Sequence, residues 1–227
     1  MLRLQLLFGI IILTLLTTPL RGQRTFSLDP FDEINVAGNV EVMLAESDEE
    51  AATLTVENIP EEKVSIKVKN GVLKIKVLQS MFYKNEKVEV YVTYRDLRAI
   101  RGDAGARIEN RSVLEGDELL ARAGSGSEIN LRVKLNSLEA GASEGGVLRI
   151  GGQTERQEAS AATGGRYEAF ELECRRTYAK ANTGGDAEVV ALEYLEASAN
   201  TGGTIYYKGN PEEVNMKTAL SGDVKKM

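Results

Sequence analysis

Hydrophobic and polar residues alternate along most of the chain. After Phe31, the pair Ile34 and Val36 is followed by Val40, Val42 and Leu44. Leu54 and Val56, then Val64, Ile66 and Val68, then Val72 to Val77, then Val88 to Tyr94 keep the same period of two. That period sends successive side chains to opposite faces of a strand, and the β-branched residues that fill it favour extended backbone. Asn70-Gly71 predicts a hairpin between two of these runs, and Gly38-Asn39 predicts a tight turn. Beyond residue 22 no stretch has a helical period, so the pattern predicts an all-β protein.

From residue 96 the alternation acquires a longer period. Glycines recur in a common setting at 105, 126, 145, 164, 184, 202 and 222, with spacings of 21, 19, 19, 20, 18 and 20. Three residues before them stand Gly102, Ala123, Ala142, Ala161, Ala181, Ala199 and Ala219. Five before stand Ile100, Ala121, Ala140, Ala159, Ala179, Ala197 and Lys217, and three after stand Ile108, Ile129, Leu148, Tyr167, Ala187, Ile205 and Lys225. A period near 20 is the mark of stacked coils: one copy cannot bury its own apolar face, and a stack makes one continuous core. The alanine columns predict a narrow interior, and the glycines predict corners. Asn182 beneath Asn200, with the stacked Ser and Thr, predicts hydrogen-bonded ladders at a turn. Lys217 and Lys225 in apolar columns predict a charged, capped last coil. The class is a parallel β-helix or β-solenoid (residues 96–227) preceded by a β-rich part (residues 23–95).

The first 22 residues are different. Arg3 precedes a nearly unbroken apolar run from Leu4 to Leu16. The run is short for a membrane span and fits the apolar core of a secretory signal, cut beside Gly22 or Gln23. An uncleaved N-terminal anchor is the alternative. No cysteine near the cut marks a lipoprotein. Loss of Arg3 and Arg21 with residues 1–22 takes the net charge from -6 to -8. The expected location is outside the cytoplasm (periplasm, outer-membrane surface or secreted), with no membrane span left after signal removal.

Composition narrows the chemistry. The acidic balance disfavours nucleic acid, which needs a cationic surface. There is no His and no Trp, so His-based triads, His-ligated zinc and an indole sugar platform are excluded. The single cysteine, Cys174, lies in an alternating stretch that predicts a buried, inert thiol. No phosphate-binding loop or calcium nonapeptide series is present, and the Gly-Gly pairs do not open a helix. Asp48-Glu49-Glu50 and Glu115-Gly116-Asp117-Glu118 read as solvated acidic loops, or loose cation sites. Tyr83, Tyr94, Tyr178 and the pair Tyr206-Tyr207 are the aromatic candidates for contact; the last two must face opposite ways. Arg101, Arg122 and Lys180 form an outward row, four before the repeat glycine. No catalytic, cofactor-binding, metal or ligand-binding residue is assigned.

These features together resemble a family of exported bacterial proteins, the putative auto-transporter adhesin, head GIN domain family. The resemblance runs over roughly residues 31–227. It opens on Phe31, Ile34, Val36, Gly38, Val42 and Leu44 with Gly71-Val72-Leu73-Lys74-Ile75, and it closes on Gly202 to Pro211, Val214 and Ser221-Gly222-Asp223. It implies a right-handed β-helical fold and a place outside the cytoplasm, and it brings no catalytic motif. Glu144, Ala187 and Lys217 depart from its tidiest pattern and predict irregular coils. The leading functional expectation is a non-catalytic binding or adhesion module whose partner is a glycan or cell-surface protein. An envelope structural or assembly protein and a polysaccharide-active β-helix enzyme are the alternatives.

Overall fold

The computed structural model describes residues 23–78 and 85–227. The export signal predicted for residues 1–22, and Tyr83, lie outside these residues. The molecule is a parallel β-solenoid of about 7 turns. One sheet stacks β6 (Val72–Val77), β2 (Glu33–Ala37), β8 (Ala99–Asp103), β10 (Leu114–Ala123), β11 (Glu128–Ala142), β12 (Val147–Ala162), β13 (Arg166–Asn182), β15 (Tyr194–Asn200) and β17 (Glu213–Ala219). A second sheet stacks β7 (Lys87–Tyr94), β3 (Glu41–Glu46), β9 (Arg107–Asn110), the first halves of β11, β12 and β13, then β14 (Asp186–Val190), β16 (Thr204–Lys208) and β18 (Asp223–Lys226). The middle segments of β10 to β13 close the third side of the coil.

The alanine columns lie in register inside the coil, Ala121 on Ala140 on Ala159 on Ala179 on Ala197. All are buried, which lets the walls approach closely. The second-sheet column reads Ile129, Leu148, Tyr167, Ala187, Ile205. Ala187 therefore lies beside Tyr167, and the small residue makes room for the large ring. Glu144 takes the same left-handed conformation as its neighbours in the corner column, with φ 52°, so that coil is regular. The irregularity lies elsewhere, at a register shift between Arg149 and Gly151.

The corners have one geometry. Thr183 and Gly184 both have positive φ, 50° and 69°, and the Gly185 N–H donates to the Asn182 carbonyl. Two left-handed residues closed by that bond form a type I′ turn, used here to pass from one sheet to the next. The expected corner ladder is made mainly by backbone, the N–H of Gly145, Gly164 and Gly184 donating to the carbonyl of Thr163, Thr183 and Thr201 in the following coil, with one side-chain rung from the Ser125 hydroxyl to the Glu144 carboxylate. Asn200 reaches Ser198 in its own strand, and not Asn182.

Gly38-Asn39 makes the expected tight turn, and because β2 and β3 join different sheets it is a solenoid corner. Asn70-Gly71 does close the antiparallel hairpin of β5 (Val64–Lys69) and β6, both residues having positive φ. In the last coil Gly222 pairs in position with Gly203, because Thr204 lies on Asp223 and Asn200 on Ala219. The left-handed pair there is Leu220-Ser221. The apolar columns thus continue through Met216 and Val224, while Lys217 stacks on Ser198 and Lys225 on Tyr206, both facing outward. The last coil carries no charged cap. The cap is at the other end, where β4 (Ala51–Glu57) pairs antiparallel with β7, β1 (Gln23–Ser27) with β4, and β5 with β6.

Candidate functional site

Period-two alternation sends every second residue of the first sheet outward, and parallel register lines these residues up across coils. On β12, β13 and β15 the result is a grid. Arg156, Arg176 and Tyr194 form one row, Glu158, Tyr178 and Glu196 the next, and Ser160, Lys180 and Ser198 the third. Tyr178 stands at its centre. Its ring lies 5.4 Å from that of Tyr194, tilted by 44°, and the Arg156 guanidinium lies 4.8 Å from the Tyr178 ring centre. Arg156, Glu158, Ser160, Tyr178, Lys180, Glu196 and Ser198, with Arg122 and Glu139 at one edge, line a shallow groove of about 390 Å³, and Tyr194 stands beside it against Tyr178.

The charges of the groove are mostly matched. Arg156 pairs with Glu158, and Arg122 with Glu139 and the Ser160 hydroxyl. The Tyr194 hydroxyl donates to Glu196 and accepts from Asn215. Lys180 has no acidic partner among the described residues. Arg156 guanidinium affinity for its proton is raised by Glu158 and by the Tyr178 hydroxyl against the opposing effect of burial. A preformed groove of tilted aromatic faces, hydroxyls and one free ammonium suits a polar, ring-bearing ligand.

The aromatic candidates separate by orientation. Tyr178 faces outward. Tyr207 is buried and Tyr206 half-exposed with Lys225 above its ring, as alternation requires. Tyr94 is a core residue at 2% exposure, and burial, with help from Glu46, pushes its hydroxyl up to about 12. Tyr194 was not singled out from sequence. Its column held the signal: it precedes Ala197 by three, as Arg176 precedes Ala179 and Arg156 precedes Ala159.

The row of Arg101, Arg122 and Lys180 exists in register but is interrupted by Gly141 and Ser160. Arg101 is engaged with Glu33, and Arg122 lies flat over Gly141, where a Cβ would collide with it. Of the acidic clusters, Glu115 and Asp117 point outward on β10 and are met by Lys134 and Asn136 of the next coil. On the second sheet, Arg149 bridges Glu128 and Glu168. Next to it, burial and the neighbouring Glu168 push the Glu188 carboxyl up. Cys174 is buried, and burial pushes its thiol up, so it is a poor nucleophile.

Among the described residues no helix is long and apolar enough to cross a membrane. A family model described as "Putative auto-transporter adhesin, head GIN domain" matches residues 30–211. No protein of curated function matches. Several solved structures share the fold, three of them as follows. One, described as a putative adhesin from Bacteroides fragilis NCTC 9343, has a TM-score of 0.81 at 17% identity, covering 92% of this chain and 98% of that one. A second, described as a putative adhesin from Parabacteroides distasonis ATCC 8503, has a TM-score of 0.68 at 25% identity, covering 91% and 96%. A third, from the same organism and described as a putative lipid binding protein, has a TM-score of 0.63 at 18% identity, covering 91% and 96%.

Proposed function

The chain belongs to the head GIN domain family, and from that premise we propose that it is an exported, non-catalytic adhesion module that holds a glycan in the groove at the Tyr178–Tyr194 pair. The observation that carries this reading is the outward tyrosine pair at the centre of a rigid three-strand grid. Around the pair, Ser160 and Ser198 are small and hydroxylated, Arg156 and Arg122 are neutralised by Glu158 and Glu139, and Lys180 keeps a free ammonium. Sugar rings stack on aromatic faces, and their hydroxyls exchange bonds with Ser160, Ser198, Lys180 and the carboxylates. A single shallow groove binds weakly, and adhesion then depends on many copies acting together.

The test is binding of the protein, free and clustered on beads, to arrays of bacterial, dietary and host glycans. Clustered protein is expected to bind a glycan class saturably. Tyr178→Ala or Tyr194→Ala is expected to weaken that binding about tenfold, on the scale of one aromatic contact. A clean blank with clustered protein would sink the reading. Undiminished binding by both variants would move the site to another wall. An assembly role within the envelope is the second reading, favoured by the open last coil.

A further inference from the structure

The two ends of the solenoid differ. At the N-terminal end, antiparallel strands add to both sheets and cover the core. At the other end, among the described residues, nothing lies beyond β17. Val214 and Met216 continue the interior columns above Leu195 and Ala197, yet are 39% and 44% exposed, and Leu220 at the corner is 77% exposed. An open edge with apolar inward residues is a template for another strand.

The strand itself indicates which one. Glu213 donates its N–H down to the Glu193 carbonyl, so by alternation the backbone groups of Val214 and Met216 point at the free edge. An antiparallel partner must therefore set edge-pointing residues opposite one another. We infer that β17 pairs with β17 of a second copy about a twofold axis through Asn215. Val214 then lies opposite Met216 of the second copy and exchanges both backbone bonds with it. The inward side chains of the two copies merge into one core. On the outward face Glu213 lies opposite Lys217, once on each side of the axis. Shifting the centre to Val214 or Met216 keeps the backbone bonds but loses both charge pairs. The sequence Glu-Val-Asn-Met-Lys is thus self-complementary in a single register, and the pairing joins two solenoids end to end as a closed twofold dimer. Their grooves would then lie along one rod, which adds valency without any ligand contact.

Sedimentation velocity of the purified protein from micromolar to millimolar concentration tests this, with circular dichroism to check folding. A reversible monomer–dimer equilibrium is expected. Lys217→Glu and Glu213→Lys are each expected to weaken the dimer about tenfold, because both charge pairs become repulsive. Mixing the two variants is expected to restore it, since every charge again faces its opposite. Val214→Asp is expected to abolish it. A monomer at every concentration overturns the inference. So does a dimer that both single charge variants leave intact, or one that mixing fails to recover.

Discussion

Inside the coil, where the third side meets the first sheet, inward alternation skips a step: Leu135 and Leu138 are both buried, as are Thr154 and Gln157, and Cys174 and Thr177. Polar side chains there donate to backbone carbonyls. Thr154 donates to the Arg156 carbonyl, and one coil later the Cys174 thiol donates to that of Arg176. Thr177 donates to the Val190 carbonyl, Gln157 to Thr177 and Val190, and the Tyr167 hydroxyl to Gln157. Thr177→Val strips a buried donor from this network. It is expected to lower unfolding free energy by about 1–3 kcal/mol in urea titrations, whereas Cys174→Thr keeps the donor and is expected to be near neutral. Equal melting of Thr177→Val and wild type would refute the role of the network. Glu188 supplies a pH dependence. Its folded-state affinity for a proton exceeds that of the unfolded chain, so the native state holds more protons in that window. Stability therefore falls as pH rises through it and recovers on acidification. Glu188→Gln is expected to raise stability at neutral pH and to flatten this part of the stability–pH curve.

At the level of elements, the corners set the energetics. Thr163, Thr183 and Thr201 are exposed yet hold φ near 50°, a conformation that β-branched residues resist. Asn adopts it more easily, so Thr183→Asn is expected to raise stability by about 0.5–1 kcal/mol and the melting temperature by a few degrees. The next residue obeys a different constraint. Gly203 does not have a positive φ, but a Cβ there would lie 2.5 Å from the Ala181 carbonyl carbon of an adjacent coil. Gly203→Ala must push coils apart and is expected to cost more than about 2 kcal/mol. A melt showing the reverse order for these two variants would disprove this account of the corner.

For the whole molecule, each coil touches mainly its neighbours, so stability is a sum of local contacts and the ends open first. With antiparallel strands over one end and, among the described residues, nothing over the other, hydrogen exchange is expected to be fastest in β17 and β18 and slowest in β11 to β13. Protection of β17 that rises with protein concentration would be a second sign of end-to-end pairing. Uniform exchange from end to end would contradict the one-capped solenoid.

The period near 20, with its alanine and glycine columns, determined the all-β solenoid class, the narrow core and the corner positions, because stacked copies must repeat the same contacts. The alternation of Tyr206 and Tyr207 and the burial of Cys174 followed from period two alone. What lies between coils was decided only in three dimensions. The last copy reads one residue out of step in the chain because Leu220-Ser221 makes its corner without glycine. Only the hydrogen-bonded register shows that Met216 and Val224, and not the lysines, continue the core. Tyr178 and Tyr194 stand 16 positions apart in the chain and become neighbours because β15 docks directly on β13, while β14 goes to the other sheet. Period two tells which residues share a face, but which of them touch depends on the length of chain that each coil takes to come round.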